Sequence, residues 1–178
     1  MRITGGIYLN RRIKCPPGII RPAMDRMRES MFSILHDINN KSFLDLFTGS
    51  GCIGIEAASR GASPVHLVEK DIKKKPVILE NIAMVESPIR LFSLPVEKYF
   101  KICRDQYNII HMDPPFNYQN KKKLLELVSF SGILKEDGIL MMHYPAGEKF
   151  PEIIGNLRFK DLRKYGGSEL IFYSFSNP

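Results

Sequence analysis

Four consecutive residues, Asp113-Pro114-Pro115-Phe116, carry groups that can hold and activate the exocyclic amine of a nucleic-acid base. Such an amine is a poor nucleophile because its lone pair is conjugated with the ring. The Asp113 carboxylate and the Pro114 carbonyl can accept its N–H bonds and so aim the lone pair at a methyl group. Proline has no N–H to compete for these acceptors, and Phe116 offers a face for stacking an extruded base. The tetrapeptide predicts methyl transfer to a base amine, although Asp-Pro-Pro is also typical of a turn.

A glycine-rich segment earlier in the chain has the spacing of a nucleotide-binding loop. Gly49, Gly51 and Gly54 fit G-x-G-x-x-G between a short apolar strand and a helix, and Glu69 lies 20 residues after Gly49. Glycine lets a ligand approach the backbone closely, and a carboxylate at Glu69 can accept from both hydroxyls of a ribose. The pattern fits a dinucleotide and S-adenosylmethionine equally. Asp45 favours S-adenosylmethionine, because a carboxylate there would accept from its amino group and repel a pyrophosphate.

Both motifs follow predicted β-strands. Strand patterns cover residues 43–47, 65–69, 89–94, 107–112, 138–144, 157–165 and 168–175, and helical patterns cover 25–38, 53–60, 71–85, 96–103 and 121–130. This alternation predicts a mostly parallel sheet with helices on both faces, and an antiparallel pairing of the last two strands, which no helix connects. Ligands bind at the carboxyl ends of parallel strands, where both motifs fall. A dehydrogenase has no use for the Asp113 motif, so the combination favours methyl transfer.

Length and composition indicate one globular domain. The chain has 178 residues, 44% of them hydrophobic, and no apolar run approaches the roughly 20 residues of a membrane helix. The N-terminus has no apolar signal segment, so we expect a cytoplasmic protein without a membrane partner. The three cysteines and four histidines share no metal-ligand spacing, and no metal site is expected. The single methyltransferase domain would span 1–178, with an RNA-binding hairpin and helix in 1–40 and the catalytic core in 41–178.

The basic residues suggest a polyanionic partner. The formal net charge is +7, and an excess of this size favours nucleic acid without proving it. Seven candidates for phosphate contact lie near the N-terminus: Arg2, Arg11, Arg12, Lys14, Arg21, Arg26 and Arg28. A solvated basic arm is the competing interpretation for any one of them. Of two lysine triplets, 73–75 reads as a solvated helix start, whereas the role of 121–123 stays open.

Several segments resemble the RsmD-type guanine-N2 methyltransferases of small-subunit ribosomal RNA. They are 1–6 with Arg11, 21–32, 45–51, 56–62, 113–116 and Tyr165-Gly166. The resemblance extends from residue 1 to about 173. It implies the class I S-adenosylmethionine-dependent methyltransferase (Rossmann-like) fold, with a seven-stranded mostly parallel sheet, an antiparallel last strand, and an N-terminal basic hairpin and helix. It also implies methylation of N2 of one guanine in 16S ribosomal RNA, within an assembled or assembling 30S subunit, by a monomeric bacterial enzyme.

The same resemblance implies where the cofactor, S-adenosylmethionine, would bind. The implied contacts are Asp45, Phe47, Gly49, Ser50, Gly51, Glu69, Lys70, Val96 and Asp113. Asp45, Gly49 and Gly51 would line its methionine end. Glu69 would hold the ribose, and Val96 would meet the adenine through its backbone. The catalytic set would be Asp113, Pro114, Pro115 and Phe116.

Three alternatives stay open at the level of sequence. The target amine could be adenine N6 or cytosine N4, in DNA or another RNA, because the tetrapeptide does not distinguish the bases. A nicotinamide-dependent oxidoreductase is favoured only by the glycine loop. A non-catalytic RNA-binding protein or assembly factor could retain the fold, although the intact Asp113 motif argues against it.

Overall fold

The computed structural model describes residues 1–15 and 23–175. Its strands are β1 (Phe43–Leu46), β2 (Val65–Val68), β3 (Ile89–Phe92), β4 (Tyr107–Met112), β5 (Leu134–Pro145), β6 (Ile153–Ile154), β7 (Leu157–Tyr165) and β8 (Ser168–Phe175). Its helices are α1 (Ala23–Leu35), α2 (Cys52–Ser59), α3 (Lys75–Ile82), α4 (Val96–Ile102) and α5 (Lys121–Ser131). No helix in these two ranges is both long enough and apolar enough to cross a membrane.

The strands form one sheet in the order β3-β2-β1-β4-β5-β8-β7-β6. Strands β1 to β5 are parallel, whereas β8 runs antiparallel to β5 and β7. The predicted Rossmann-like class is confirmed, with β8 as the antiparallel last strand. The short β6 adds an eighth strand at the edge, antiparallel to β7. Two residues are too few to give a periodic pattern, so this strand was not predicted.

Alternation along the strands divides the core between the two faces of the sheet. Leu44, Leu46, Ile110 and Met112 pack on one face with residues of α4 and α5. Phe43, Val65, Leu67 and Ile109 pack on the other face with residues of α1, α2 and α3. Successive side chains of a strand point to opposite faces, which is why neighbours such as Phe43 and Leu44 enter different clusters. Each fully buried aliphatic side chain contributes about 1.5–3 kcal/mol.

The register of the central strands brings the functional segments to one edge. Leu46, the last residue of β1, pairs with Val68 on one side and Met112 on the other. Met112 in turn pairs with Met142 of β5. The loops after β1, β2 and β4 and the end of β5 therefore open at the same level.

Residues 1–13 form the predicted N-terminal hairpin. Ile3 N–H donates to the Arg11 carbonyl and Ile13 N–H to the Met1 carbonyl, both at 2.9 Å. Ile3 and Ile13 are buried against α2. Gly6 has φ +78°, and a Cβ there would lie 1.9 Å from the Ser59 carbonyl oxygen, so this close approach requires glycine.

One predicted helix begins later than expected. Asp71 accepts a hydrogen bond from Lys73 N–H at 3.0 Å and caps a 3₁₀ turn, Ile72–Lys74, and α3 follows from Lys75. Pro76 lies in the first turn of α3. Its missing N–H and fixed φ suit that position better than a helix interior.

Candidate active site

A cavity of about 430 Å³ lies at the carboxyl ends of the central strands. It is lined by Phe47, Gly49, Glu69, Lys70, Asp71, Lys74, Asp113, Pro114, Pro115, Phe116 and His143. The structure thus brings together the glycine loop, the carboxylate after β2 and all four predicted catalytic residues. Ligand sites of this kind usually enclose about 300–1,000 Å³. The cavity is large enough to hold a nucleoside-sized ligand beside Asp113.

The glycine loop turns sharply out of β1. Gly49 and Gly51 have φ of +60° and +82°, the left-handed region that favours glycine. Gly54 serves a different purpose, because a Cβ there would lie 2.1 Å from Leu67 Cδ2. Its missing side chain lets α2 pack closely on β2 while the loop stays open to the cavity.

The Glu69 carboxylate is fixed at the wall of the cavity. Its Oε2 accepts from Gly49 N–H at 3.1 Å and Lys74 Nζ at 3.2 Å. Its Oε1 accepts from Asp71 N–H at 3.0 Å. A carboxylate offers about four lone-pair positions, so Glu69 can still accept a further hydrogen bond from a ligand hydroxyl. The sequence predicts a solvated helix start for the lysines at 73–75, and the contact of Lys74 with Glu69 could be inferred only from the fold.

Asp45 supports the glycine loop from beneath. It is 1% exposed, and its oxygens accept from the Thr48 hydroxyl, from Gly54 N–H at 3.3 Å and from His111 Nδ1 at 2.8 Å. Four predicted cofactor residues, Asp45, Ser50, Gly51 and Val96, do not line the cavity. Their direct contact with a cofactor stays a prediction.

Asp113 and Pro114 present two acceptors to the cavity. The Asp113 side chain is 25% exposed, and its Oδ1 lies 2.8 Å from His143 Nδ1. Within residues 1–15 and 23–175, no donor is paired with the Pro114 carbonyl oxygen. The Phe116 ring meets His143 edge-on at 5.6 Å between centroids. The arrangement can accept two N–H bonds of a planar amine next to an aromatic wall.

A buried lysine holds the segment that follows the tetrapeptide. Lys121 is 4% exposed, and its ammonium donates to the carbonyls of Phe116 and Tyr118 at 2.8 and 2.9 Å and to Glu148 at 2.8 Å. Its three N–H bonds are thereby satisfied. The open question about 121–123 is answered for this residue, whereas Lys122 is 62% exposed beside Glu126. Sequence alone gave no signal that distinguished the two.

Tyr118 connects this segment to the start of α4. Its hydroxyl donates to Glu97, and its ring meets Phe47 at 5.5 Å. Burial, followed by the bond to Glu97, raises the pKa of Tyr118 to about 12. The same hydrogen bond holds the pKa of Glu97 below its ordinary value. The contact fixes the loop of residues 113–120, the Asp113 loop, relative to α4, where Val96 is located.

His143 was not identified from the sequence. It lies near the end of β5, one residue after Met142, which pairs with Met112. The rule that ligands meet the carboxyl ends of parallel strands could have selected it. The pattern of the isolated segment could not, because Asp113 is 30 residues away along the chain.

Exposed basic side chains lie on the N-terminal segment. Arg2, Arg11, Arg12 and Arg26 are exposed, and Lys14 forms an ion pair with Glu80. Arg2 and Arg12 line a second cavity, of about 630 Å³, with Met1, Asn10 and Asp25. Arg21 lies outside the described residues.

Arg28 is unsuited to phosphate contact, which corrects the expectation for this residue. It is 1% exposed, and its guanidinium pairs with Glu56 at 2.5 Å and Asp25 at 3.1 Å and donates to the Arg2 carbonyl at 2.6 Å. A buried charge of this kind requires partners that satisfy it. Arg28 therefore joins α1, α2 and the hairpin.

Asn81 connects the hairpin to the glycine loop. Its side-chain amide donates to the carbonyls of Lys14 and Ser50, at 2.8 and 2.9 Å, and its carbonyl accepts from Lys14 N–H at 3.0 Å. The end of the hairpin is thereby held next to the loop that follows β1.

Known proteins resemble this chain over nearly its whole length. A model of the family described as Conserved hypothetical protein 95 matches residues 1–174. Ribosomal RNA small subunit methyltransferase D of Escherichia coli strain K12 is 29% identical over 160 residues, 88% of this chain and 80% of that protein. The YlbH protein of Bacillus subtilis strain 168 is 29% identical over 180 residues, 97% of this chain and 98% of that protein. The solved yhhF protein of Escherichia coli has a TM-score of 0.90 at 26% identity, covering 100% of this chain and 99% of that one.

Proposed function

The chain belongs to the family described as Conserved hypothetical protein 95, and on that premise we propose that it transfers a methyl group from S-adenosylmethionine to N2 of a guanine in 16S ribosomal RNA. Methyl transfer with ribosomal RNA as the substrate class is supported by the relative named Ribosomal RNA small subunit methyltransferase D. The observation that carries the function is that Asp113, Pro114 and Phe116 line one cavity with Gly49 and Glu69. The side of the cavity with Gly49 and Glu69 suits a nucleoside cofactor, and the side with Asp113, Pro114 and Phe116 suits a planar base.

The residues of the cavity fit S-adenosylmethionine, the methyl donor of this fold family. Gly49 leaves the backbone approachable, and Glu69 is held in place by Gly49, Asp71 and Lys74 with acceptor capacity left for a ribose hydroxyl. When bound, the cofactor supplies a methyl group activated by a positively charged sulfur. Asp45 acts on this site through the loop that it supports, through Thr48 and Gly54.

The chemistry of the proposed step rests on orientation of the amine. Asp113 and the Pro114 carbonyl accept its two N–H bonds, so that the nitrogen lone pair points at the methyl carbon. The new N–C bond would replace the S–C bond of a bound S-adenosylmethionine, whose neutral thioether would be the leaving group. The methylated amine then releases one proton to water. Positioning of this kind can supply on the order of 7–11 kcal/mol, and stacking on Phe116 about 1–3 kcal/mol.

The proposed RNA surface consists of the exposed residues Arg2, Arg11, Arg12 and Arg26, with Lys14 at its border. Arg2 and Arg12 line the second cavity, where a phosphate oxygen could accept from both guanidinium groups. Asn81 holds the end of the hairpin beside the glycine loop. RNA bound to the hairpin would therefore lie close to the glycine loop. In this proposal the hairpin and α1 in 1–40 recognise RNA, and 41–178 performs the chemistry.

We further propose that the protein acts as a cytoplasmic monomer on an assembled or assembling 30S subunit. The second candidate function is methylation of adenine N6 or cytosine N4, in DNA or another RNA. It is favoured by the same pair of acceptors, because Asp113 and the Pro114 carbonyl would serve any exocyclic amine.

The decisive experiment incubates the protein with radiolabelled S-adenosylmethionine and small subunits from cells that lack this activity. Nuclease digestion and mass spectrometry then identify the labelled nucleoside. We expect N2-methylguanosine with the wild-type protein and with Asp137→Ala, whose side chain is exposed, and none with Asp113→Ala. Label in N6-methyladenosine or N4-methylcytidine would establish the second candidate. Absence of label in every RNA and DNA tested, despite cofactor binding, would reject the proposal.

A further inference from the structure

The Asp113 carboxylate, which follows β4, contacts the side chain of His143 from the neighbouring strand β5. His143 lies in β5, is 5% exposed, and holds its Nδ1 atom 2.8 Å from Asp113 Oδ1. We propose that His143 is a positioning residue: its Nδ1–H bond orients the Asp113 carboxylate so that Oδ2 accepts the N–H bond of the base amine. This inference rests on the proposed function, because it assigns His143 a role in the same transfer step.

The direction of the hydrogen bond follows from the acceptor. An ionised carboxylate can only accept, so with Asp113 ionised the proton between the two residues lies on His143 Nδ1. A bond to a charged acceptor is short and about twice as strong as one between neutral groups, and 2.8 Å agrees with this. The imidazole is thereby held in the tautomer with a proton on Nδ1.

Asp113 needs such a partner because little else in the described ranges holds its side chain. Its N–H donates to the Leu46 carbonyl at 3.2 Å, which fixes the backbone. The carboxylate is a quarter exposed and, within residues 1–15 and 23–175, is hydrogen-bonded to His143 alone. Without His143, the carboxylate could rotate into solvent and lose its alignment with the Pro114 carbonyl.

His143 is itself rigidly held. Its backbone lies in β5 between two hydrogen-bonded neighbours, β4 and β8, and it pairs with Leu170 of β8. Its ring packs against the edge of Phe116. The loop after β4 is therefore fastened at two points: His143 binds the Asp113 side chain, and Lys121 binds the Phe116 carbonyl.

Loss of the hydrogen bond between His143 and Asp113 should impair the chemical step and leave cofactor binding nearly unchanged. Loss of the Nδ1–H bond should lower kcat, because misplacement of a reacting group by about 1 Å can cost roughly 100-fold. Affinity for S-adenosylmethionine should change little, since Gly49 and Glu69 are held by other residues. A role confined to folding would instead lower stability and leave the kcat of the folded enzyme unchanged.

The test compares three substitutions of one side chain. His143→Asn keeps an N–H donor near the position of Nδ1, His143→Gln moves it to the position of Nε2, and His143→Leu removes it. We expect kcat to fall roughly 10- to 100-fold in the Leu and Gln variants and to recover substantially in Asn, with calorimetric affinity for S-adenosylmethionine unchanged. Wild-type kcat in the Gln variant would overturn the proposal, and this comparison remains if the Leu variant does not fold.

A second measurement does not depend on turnover. Nitrogen-15 NMR of the imidazole in the free protein should show His143 protonated on Nδ1, and Asp113→Ala should change that signal. A neutral ring protonated only on Nε2 would overturn the inference. If the wild-type protein methylates no base at all, the proposed function fails, whereas the NMR result still decides whether His143 donates to Asp113.

Discussion

His111 Nδ1 lies 2.8 Å from Asp45 Oδ1, and both side chains are almost fully enclosed. The two residues are direct partners in the pairing of β1 with β4, so the register of the sheet creates the contact. Asp45 also accepts from the Thr48 hydroxyl and from Gly54 N–H. One carboxylate thereby connects the strand before the Asp113 motif to the loop that would hold the cofactor.

Replacement of Asp45 tests whether this residue acts through the loop. Asp45→Asn places an amide N–H₂ where the carboxylate accepts from three donors. We expect the free energy of unfolding to fall by about 1–3 kcal/mol, the cost of an unsatisfied buried donor, with weaker binding of S-adenosylmethionine. Urea denaturation and calorimetry measure the two effects. Normal stability with lost affinity would instead support direct contact between Asp45 and the cofactor.

The order of elements and both motif positions could be predicted from the sequence because they depend on local patterns. Short apolar runs separated by helical segments determine the parallel sheet, and Gly49, Gly51 and Asp113 follow two of these buried runs, β1 and β4. The resemblance to RsmD-type enzymes is confirmed, as is the class I fold. The role of each side chain at the site stays a prediction.

What could not be predicted depends on contacts between distant segments. Arg28 belongs to a basic cluster in the sequence, yet its guanidinium is buried and forms ion pairs with Glu56 and Asp25. Lys121 and Lys122 are identical in type and adjacent in sequence, and only the turn of α5 places the first beneath the Asp113 loop. Charge counts do not distinguish a buried ion pair from an exposed one.

Gly54→Ala tests the close packing of α2 on β2. The added Cβ would lie 2.1 Å from Leu67 Cδ2 and 3.3 Å from Val65 Cγ1. Overpacking of this kind costs about 1–3 kcal/mol, measured as a lower free energy of unfolding. Gly167→Ala is the matched control, because in the part of the chain that the structure describes no atom beyond its chain neighbours lies within 4 Å of its Cβ position, and it should change stability by no more than about 0.5 kcal/mol. Equal effects of the two variants would contradict the packing argument.

Lys121→Met tests whether the buried ammonium positions the Asp113 loop. Methionine has a similar length but leaves the carbonyls of Phe116 and Tyr118 without their donor. We expect kcat to fall roughly 10- to 100-fold and the free energy of unfolding to fall by about 1–3 kcal/mol. Lys122→Met alters an exposed neighbour and should leave both unchanged. Full activity of a folded Lys121→Met enzyme would show that the loop keeps its place without this lysine.

Arg12→Ala tests the proposed RNA surface on the hairpin. Each neutralised phosphate contributes roughly 0.7–0.9 to the slope of log affinity against log salt concentration. Loss of one phosphate contact should weaken RNA binding and make the slope shallower by roughly 0.7–0.9. Arg163→Ala removes an exposed arginine on β7 that pairs with Asp161 and should leave the slope unchanged. Filter binding at several salt concentrations decides the matter, and identical slopes for wild type and Arg12→Ala would exclude this contact.

The pH dependence of stability should report on His66. Its Nδ1 lies 2.6 Å from the Tyr107 hydroxyl, and burial lowers its pKa below the ordinary value of 6.5, with Asp105 opposing and Arg90 adding to the shift. Because the folded state resists protonation, the unfolded state binds the proton first as pH falls. The free energy of unfolding should therefore be fully maintained above 6.5 and decline as pH falls through that value toward the lower pKa of the folded state.

His66→Asn separates this contribution from those of other groups. Asparagine can keep a hydrogen bond to Tyr107 near the position of Nδ1 but does not titrate. The difference in the free energy of unfolding between wild type and variant should be constant at alkaline pH. It should shift in favour of the variant as pH is lowered from 7 to 5, a range set by the lowered pKa of His66. Urea denaturation at pH steps measures it, and parallel profiles for the two proteins would mean that His66 has the same pKa folded and unfolded.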